Sequence, residues 1–289
     1  MSLFDPLLHN PTGFIIAIGL FSLLVGSFLN VVISRLPIMM QRQWRSECEQ
    51  YLDPDKEPPT EKIFNLSRPR SHCPSCEQPI RAIENIPLLS YLFLKGRCRH
   101  CGTHISWQYP AIELLTTLLS MAIAAHFGAS WLTLTGLLFT WCLIALSVID
   151  LQQTLLPDSI TQPMLWLGLL LSLSSSSAIS TETALLGAIA GYLALWSVYW
   201  LFKLLTGKEG MGHGDFKLLA MLGAWLGWQA LPGIIMLSSL LGATVGILLI
   251  LFKKQDRNVP IPFGPYLAFA GWLSLIWGEQ INRYYLNFG

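Results

Sequence analysis

Charge is scarce in this chain: Asp, Glu, Lys and Arg make up only 12% of its 289 residues, against roughly a quarter in an ordinary soluble domain. That shortage, beside 53% apolar residues, excludes a conventional water-soluble fold. The charge present has almost no net sign, 18 basic against 17 acidic residues for a formal +1. Nothing global therefore draws the chain to nucleic acid or to an acidic substrate, and no nucleic-acid partner is expected. No fixed-period repeat is visible, and the prolines and glycines are spread along the chain, which excludes a repeat array, a collagenous tract and intrinsic disorder. No Lys or Arg precedes Arg35, so the first apolar run lacks the basic leading segment of a secretory signal and reads as a retained helix.

What is abundant is long apolar sequence. A bilayer core of about 30 Å needs about 20 mostly apolar residues per helix. Eight windows approach that length, at residues 14–33, 111–127, 132–149, 160–173, 184–205, 216–228, 231–252 and 263–277. The fourth, sixth and eighth are short or glycine-rich, which predicts helices that are tilted, broken or sheltered by neighbours. Residues 35–108 differ in kind, carrying eleven of the eighteen basic residues and eight acidic ones; they form a polar insert between the first two spans. Basic residues beside membrane helices resist translocation, so the insert is expected in the cytoplasm. Eight alternating crossings then put Lys203, Lys208, Lys217, Lys253, Lys254 and Arg257 on the same side and leave only Arg283 outside. That consistent sorting supports the span count and the orientation together, with both termini and the serine-rich loop at 172–180 outside.

Within the insert, Cys73-Pro-Ser-Cys76 and Cys98-Arg-His-Cys101 are CxxC pairs separated by 21 residues, close to the spacing of zinc ribbons. Two such knuckles bring four thiolates to the corners of a tetrahedron. Zn²⁺ held by four sulfurs has no position left for water, so a structural ion is expected. Disulfides or separate thiols are the alternatives, and a reducing cytoplasm disfavours disulfides. Metal binding would supply roughly 10 kcal/mol or more of folding free energy to an insert too small for a generous core. His72, His100 and His104 read as solvated polar residues, Cys48 has no motif partner, and Cys142 reads as an apolar helix residue.

Carboxylates at the edge of apolar spans call for an explanation, because they cost free energy there. Asp150 ends the run 143–149 and is followed shortly by Pro157-Asp158; Asp215 closes Gly210-Met-Gly-His-Gly214-Asp215, just before Lys217. The predicted topology puts all three acids at the same cytoplasmic boundary. Glycine tolerates close approach and φ > 0, so the second motif presents Asp215 on a tight turn. If Asp150 meets it across the bundle, the two carboxylates share a proton, and one activates water while the other protonates the substrate. Other readings stand beside this one. Asp158 reads as the N-cap of the fourth span; Asp215 also suits an N-cap, and Asp150 suits a pairing with a nearby Lys. A proton-coupled transporter with a regulatory zinc insert fits the same composition, as does a zinc-bearing assembly factor without chemistry.

The motifs as a set resemble those of the type IV prepilin peptidases, bifunctional leader peptidase and N-methyltransferase enzymes of bacterial inner membranes. The resemblance covers nearly the whole chain. It rests on Gly26-Ser-Phe-Leu-Asn-Val-Val-Ile-Ser-Arg-Leu-Pro37, the two CxxC pairs, Asn85-Ile-Pro-Leu-Leu-Ser-Tyr91, Gly96-Arg-Cys98, Ile149-Asp150 with Leu156-Pro-Asp158, Gly210-Met-Gly-His-Gly-Asp215 and Pro262-Phe-Gly-Pro-Tyr266. A GxGD motif alone is weak, because presenilin-like intramembrane proteases carry it too. The resemblance implies an aspartic endopeptidase that cuts prepilins and type II secretion pseudopilins after a short basic leader on the cytoplasmic side. Asp150 and Asp215 match the catalytic aspartates, and Asp158 matches an acid that is not the proteolytic partner. It further implies transfer of a methyl group from S-adenosylmethionine to the new amino terminus, an activity associated with the insert.

Gly96 matches a family glycine linked to methyl transfer, although a turn before the second knuckle explains it equally well. Asn30 and Arg35 are weaker candidates. No Gly-rich Rossmann fingerprint follows a strand, so a soluble methyltransferase fold does not come from the sequence. Two departures from the family pattern stand out: His213 fills the variable slot of GMGxGD, and Gln108 stands before Tyr109-Pro110 where an arginine is expected. The resulting expectation is an all-α polytopic membrane protein of about eight helices. Residues 1–35 hold the first helix, 36–108 the zinc-binding cytoplasmic insert and 109–289 a seven-helix peptidase domain, with prepilins, pseudopilins and membrane lipid as partners.

Overall fold

A computed structural model describes residues 10–54, 64–81, 84, 86–174, 179–253 and 261–286. Among them the regular structure is helical, with two isolated β-bridges and no strand. The α-helices are α1 (Pro11–Leu52), α2 (Leu89–Phe93), α3 (Gln108–Phe127), α4 (Trp131–Gln153), α5 (Asp158–Ser172), α6 (Thr181–Thr206), α7 (His213–Leu226), α8 (Leu231–Lys253) and α9 (Gly264–Leu286), with a 3₁₀ turn at Trp228–Ala230. The chain divides into two compact units, Met1–Trp141 and Cys142–Gly289.

Among the described residues, five helical segments are long and apolar enough to cross a membrane: Pro11–Leu52, Gln108–Phe127, Trp131–Gln153, Thr181–Thr206 and Trp228–Phe252. Of the three windows expected to be short or glycine-rich, the fourth and sixth form short helices. α5 has 15 residues and α7 has 14, about 22 and 21 Å at 1.5 Å per residue, less than the hydrocarbon thickness. α9 has 23 residues but carries Glu279 and Arg283 in its second half.

The first helix runs well past Arg35, where the sequence reading ended it, to Leu52. Asn10 opens it, its Oδ1 accepting the N–H groups of Thr12 at 3.1 Å and Gly13 at 3.2 Å, with Pro11 at the first helical position. Its apolar portion stops at Ile33 and a polar portion carrying Arg35, Arg42 and Arg45 follows. Helical hydrogen bonding is indifferent to that change of solvent, so an apolar window marks where a span ends and not where its helix ends. α3 packs against α1, closely enough that a Cβ on Gly26 would stand 2.8 Å from Glu113 Cα.

In the second unit α7 is the centre. Residues from Asp215 to Ala224 are buried on all sides apart from the partly covered Lys217, the pattern of a helix with no solvent or lipid face. α5, α6 and α9 pack on it. The α6 contact is backbone to backbone: a Cβ on Gly187 would collide with the Gly223 carbonyl, and one on Gly191 would stand 2.6 Å from the Leu219 carbonyl. Small residues four apart let helices meet this closely where hydrophobic driving force between them is weak. On the α5 side Trp225 lies over Gly168 and donates its indole N–H to the Met164 carbonyl at 2.7 Å. The short helix is thereby sheltered by its neighbours, which is what a 14-residue segment in an apolar environment requires.

Candidate active site and metal centre

Asp150 lies in the last turn of α4 and is only 5% exposed. Beyond it the chain turns sharply through Thr154 (φ +50°), whose N–H closes back onto the Asp150 carbonyl at 2.8 Å. The Asp150 carboxylate accepts the Gly264 N–H at 3.0 Å through Oδ2. Gly264 is the first residue of α9, and the first N–H groups of a helix have no partner inside it. Asp150 therefore ties the end of one helix to the start of another. A side chain at 264 would destroy that seat, since its Cβ would stand 2.7 Å from Asp150 Oδ2 and 3.1 Å from Leu156 Cδ2.

Asp215 sits in the first turn of α7 and is 7% exposed. Helix α7 begins at His213, inside the glycine motif, with Gly212 as N-cap. The tight turn expected to present Asp215 is the first turn of the helix itself, and the alternative reading of Asp215 as the N-cap does not hold. A carboxylate there is favoured by the positive end of the helix dipole. Leu156 joins the two sites, packing against Gly264 and also against Gly214, where a Cβ would stand 2.8 Å from Leu156 Cβ. Asp150 and Asp215 are thus neighbours, close enough to interact as like charges, and neither forms an ion pair among the described residues. Two buried carboxylates so arranged can hold one proton between them and divide the roles of acid and base.

Asp158 is not the N-cap expected of it. Pro157 occupies that position, Asp158 is the first helical residue, and its carboxylate takes both contacts of Lys217 Nζ, at 2.6 and 2.8 Å. Lys217 is thus engaged by Asp158, and Asp150 has no lysine partner among the described residues. His213 is exposed and lies against the rings of Tyr199 and Phe216 at centroid separations of 5.1 and 5.4 Å.

The cysteines form a separate centre. All four Sγ atoms of Cys73, Cys76, Cys98 and Cys101 lie within 4.8 Å of one another, with Cys73 and Cys101 3.7 Å apart. A tetrahedral ion with bonds of about 2.3 Å needs sulfurs about 3.8 Å apart, so the set fits. The knuckles repeat one hydrogen-bond pattern at an offset of 25 residues. Glu77 N–H donates to Cys73 O and Gly102 N–H to Cys98 O; Cys73 N–H donates to Gln78 O and Cys98 N–H to Thr103 O; Ile80 N–H donates to Ser71 O and Ile105 N–H to Gly96 O. A local duplication, invisible as a sequence period, thus builds the site. Thr103, by side chain and backbone, pulls the Cys101 thiol down to about 6, while against the Gln78 N–H, burial and the three surrounding thiols push Cys76 up to about 12. Four thiolates this close together repel one another, so a cation is needed for all of them to ionise.

Residues 20–127 match the model of the bacterial peptidase A24 N-terminal domain, and residues 137–247 match that of the type IV leader peptidase family. The chain belongs to the type IV leader peptidase family. Curated relatives named prepilin leader peptidase/N-methyltransferase agree over the full length. That of Aeromonas hydrophila is 58% identical over 288 residues, 99% of each chain. That of Pseudomonas aeruginosa is 53% identical over 288 residues, 100% of this chain and 99% of the relative, and that of Dichelobacter nodosus is 50% identical over 285 residues, 97% of each. No solved structure matches.

Membership in the leader peptidase family makes the chain a membrane enzyme and leaves the transporter reading without support. Gly96, singled out from the family pattern, is buried at φ +66°, with a hypothetical Cβ 2.9 Å from Tyr91 Oη. Its carbonyl starts the second knuckle by accepting Ile105 N–H at 2.8 Å, so the turn expected there is present. Asn85 lies outside the described residues. Sequence reasoning quoted Pro262–Tyr266 without giving it a task; the Gly264 bond to Asp150 is that task. It also passed over Glu113 entirely, a buried acid in α3. Glu113 is the single Asp, Glu, Lys or Arg of that helix, and this is the signal the sequence offers.

Proposed function

We propose that this chain is an aspartic endopeptidase of the bacterial inner membrane that removes the leader from type IV prepilins and type II secretion pseudopilins and then N-methylates the new amino terminus. The observation that carries the peptidase reading is the convergence of Asp150 and Asp215, buried and unpaired by any described cation, around Leu156. In the proposed reaction one aspartate, ionised, removes a proton from water as the oxygen attacks the scissile carbonyl. Its protonated partner polarises that carbonyl and later returns a proton to the leaving amine. The Gly264 N–H keeps the Asp150 carboxylate oriented throughout.

The basic residues of the insert and of the later connecting segments support a cytoplasmic insert and active site with both termini periplasmic. A pilin's apolar helix then stays among the lipids while its basic leader remains in the cytoplasm, which delivers the scissile bond to the interface. Cys73, Cys76, Cys98 and Cys101 would hold a structural Zn²⁺. S-adenosylmethionine, when bound, supplies an electrophilic methyl group, and Gly96 is the proposed contributor to its site.

Purified protein given a prepilin tests the reading. Asp150→Asn and Asp215→Asn should each abolish leader removal while melting behaviour and metal content stay those of the unaltered chain. Cleavage retained in either variant refutes the dyad.

A further inference from the structure

The unit formed by residues up to Trp141 holds a buried carboxylate of its own. Glu113, in the second turn of α3, is 7% exposed. Its Oε2 accepts the Leu88 N–H at 2.8 Å, and the Ser27 hydroxyl is the other polar group beside the carboxylate. Both groups are neutral. No Lys, Arg or His pairs with Glu113 among the described residues, although an unpaired buried charge is costly.

A second acceptor lies one turn away. Asn30 on α1 is 5% exposed, and its amide nitrogen donates to the carbonyls of Gly26 at 3.2 Å and Tyr109 at 3.1 Å. Those two bonds fix which way the amide points. Oδ1 of Asn30 is then left buried without a donor among the described residues. Gly26 is one turn before Asn30 on α1, Tyr109 is one turn before Glu113 on α3, and Gly26 lies against Glu113 Cα. The Glu113 carboxyl group and the orphan acceptor therefore occupy adjacent turns of one helix crossing. A ligand that satisfies both must carry positive charge and several N–H donors, the description of an ammonium group.

We propose that Glu113 and Asn30 Oδ1 bind the α-ammonium of the processed pilin, and that Glu113 is the base that frees its lone pair for methylation. The proposal rests on the N-methyltransferase reading above. Cleavage releases an α-amine that is largely protonated in neutral water, and a protonated nitrogen cannot attack. The Glu113 carboxylate takes one N–H proton. The freed lone pair forms the N–C bond to the sulfonium methyl group as the C–S bond electrons return to sulfur, leaving a neutral thioether. The product is a secondary ammonium, and the proton on Glu113 passes to water.

Gln at position 113 separates this from a merely structural role, because its amide oxygen still accepts the Leu88 N–H while the negative charge and the basicity are lost. The full-length protein is assayed for leader removal with a prepilin. It is assayed for methyl transfer with a mature pilin amino-terminal peptide and methyl-labelled S-adenosylmethionine. Binding of that peptide and of its Nα-acetylated twin is measured without the methyl donor. The unaltered protein should prefer the free amine by about tenfold or more, as expected for charge-assisted hydrogen bonds. Glu113→Gln should bind both peptides alike, methylate about 100-fold more slowly or worse, and still remove leaders, which reports an intact fold. Methylation by Glu113→Gln within about threefold of the unaltered rate, far from the loss a missing base causes, overturns the proposal, as does a retained amine preference. Should Glu113→Gln fail to cleave, the peptide pair on the unaltered protein decides, and equal binding of the two overturns it. A protein that cleaves but never methylates counts against the methyltransferase reading, while the amine preference still tests the ammonium site.

Discussion

Gly264→Ala tests the geometry around Asp150 most directly, because the perturbation is a single methyl group whose position is known. The added Cβ would stand 2.7 Å from Asp150 Oδ2 and 3.1 Å from Leu156 Cδ2, where ordinary contact begins at 3.4 Å. Relief requires the carboxylate to retreat by about 0.7 Å, or the start of α9 to shift by as much, and either weakens the 3.0 Å bond from Gly264 N–H. Overpacking of this kind costs about 1–3 kcal/mol of stability. A misplacement of about 1 Å at a reacting group costs about 100-fold, so a shift of about 0.7 Å should slow leader removal on the order of 10- to 100-fold. The assay is the cleavage rate on a purified prepilin, with methylation of an already processed pilin peptide as the control, since that activity is assigned to the other unit. Cleavage at the rate of the unaltered protein, with the alanine accommodated and the fold intact, would show that Gly264 does not set the position of Asp150.

Asp158→Asn should leave cleavage in place and cost no more than about 1 kcal/mol, because its pair with Lys217 is 57% and 30% exposed and such pairs contribute little; abolished cleavage would move Asp158 into the reacting set. Metal analysis should find about one zinc per chain, as four thiolate ligands dictate, and Cys76→Ser combined with Cys101→Ser should remove it. A folded chain that carries all four cysteines and no metal would refute the centre. The losses expected of Asp150→Asn and Asp215→Asn in leader removal, and of Glu113→Gln in methylation, complete the set, each with the other activity as its internal control.

Much of the candidate site was legible because its residues break the composition around them. Asp150 and Asp215 stood out as acids in apolar sequence, and the CxxC pairs as a spacing few other chemistries need. The cysteines are brought together by short-range turns, so their local sequence was enough. Residues that act through shape were harder to read. Leu156 is one leucine among many, and its contact with both Gly214 and Gly264 depends on three segments meeting. Asp158 misled because a residue just after proline and before an apolar run has the features of a helix cap. The lysine that claims it is 59 residues away in sequence. Glu113 escaped notice for a related reason: the N–H it accepts comes from Leu88 in the insert, and its closest backbone neighbour is Gly26 on another helix.

Hydrophobic run length and charge scarcity alone made this a helical membrane protein, since a chain among lipids must satisfy its backbone within each helix and can do so from local sequence. The pairing of the cysteines and the candidacy of the two aspartates were likewise written in spacing and composition. The fold alone decided that α7 would be a short helix enclosed by α5, α6 and α9, that the N–H of Gly264 would donate to the Asp150 carboxylate, and that Asn30 would keep an acceptor with no donor among the described residues. These are relations between segments distant in the chain, fixed by close packing of backbones and by the cost of leaving buried polar groups unmatched, and no run of neighbouring residues encodes them.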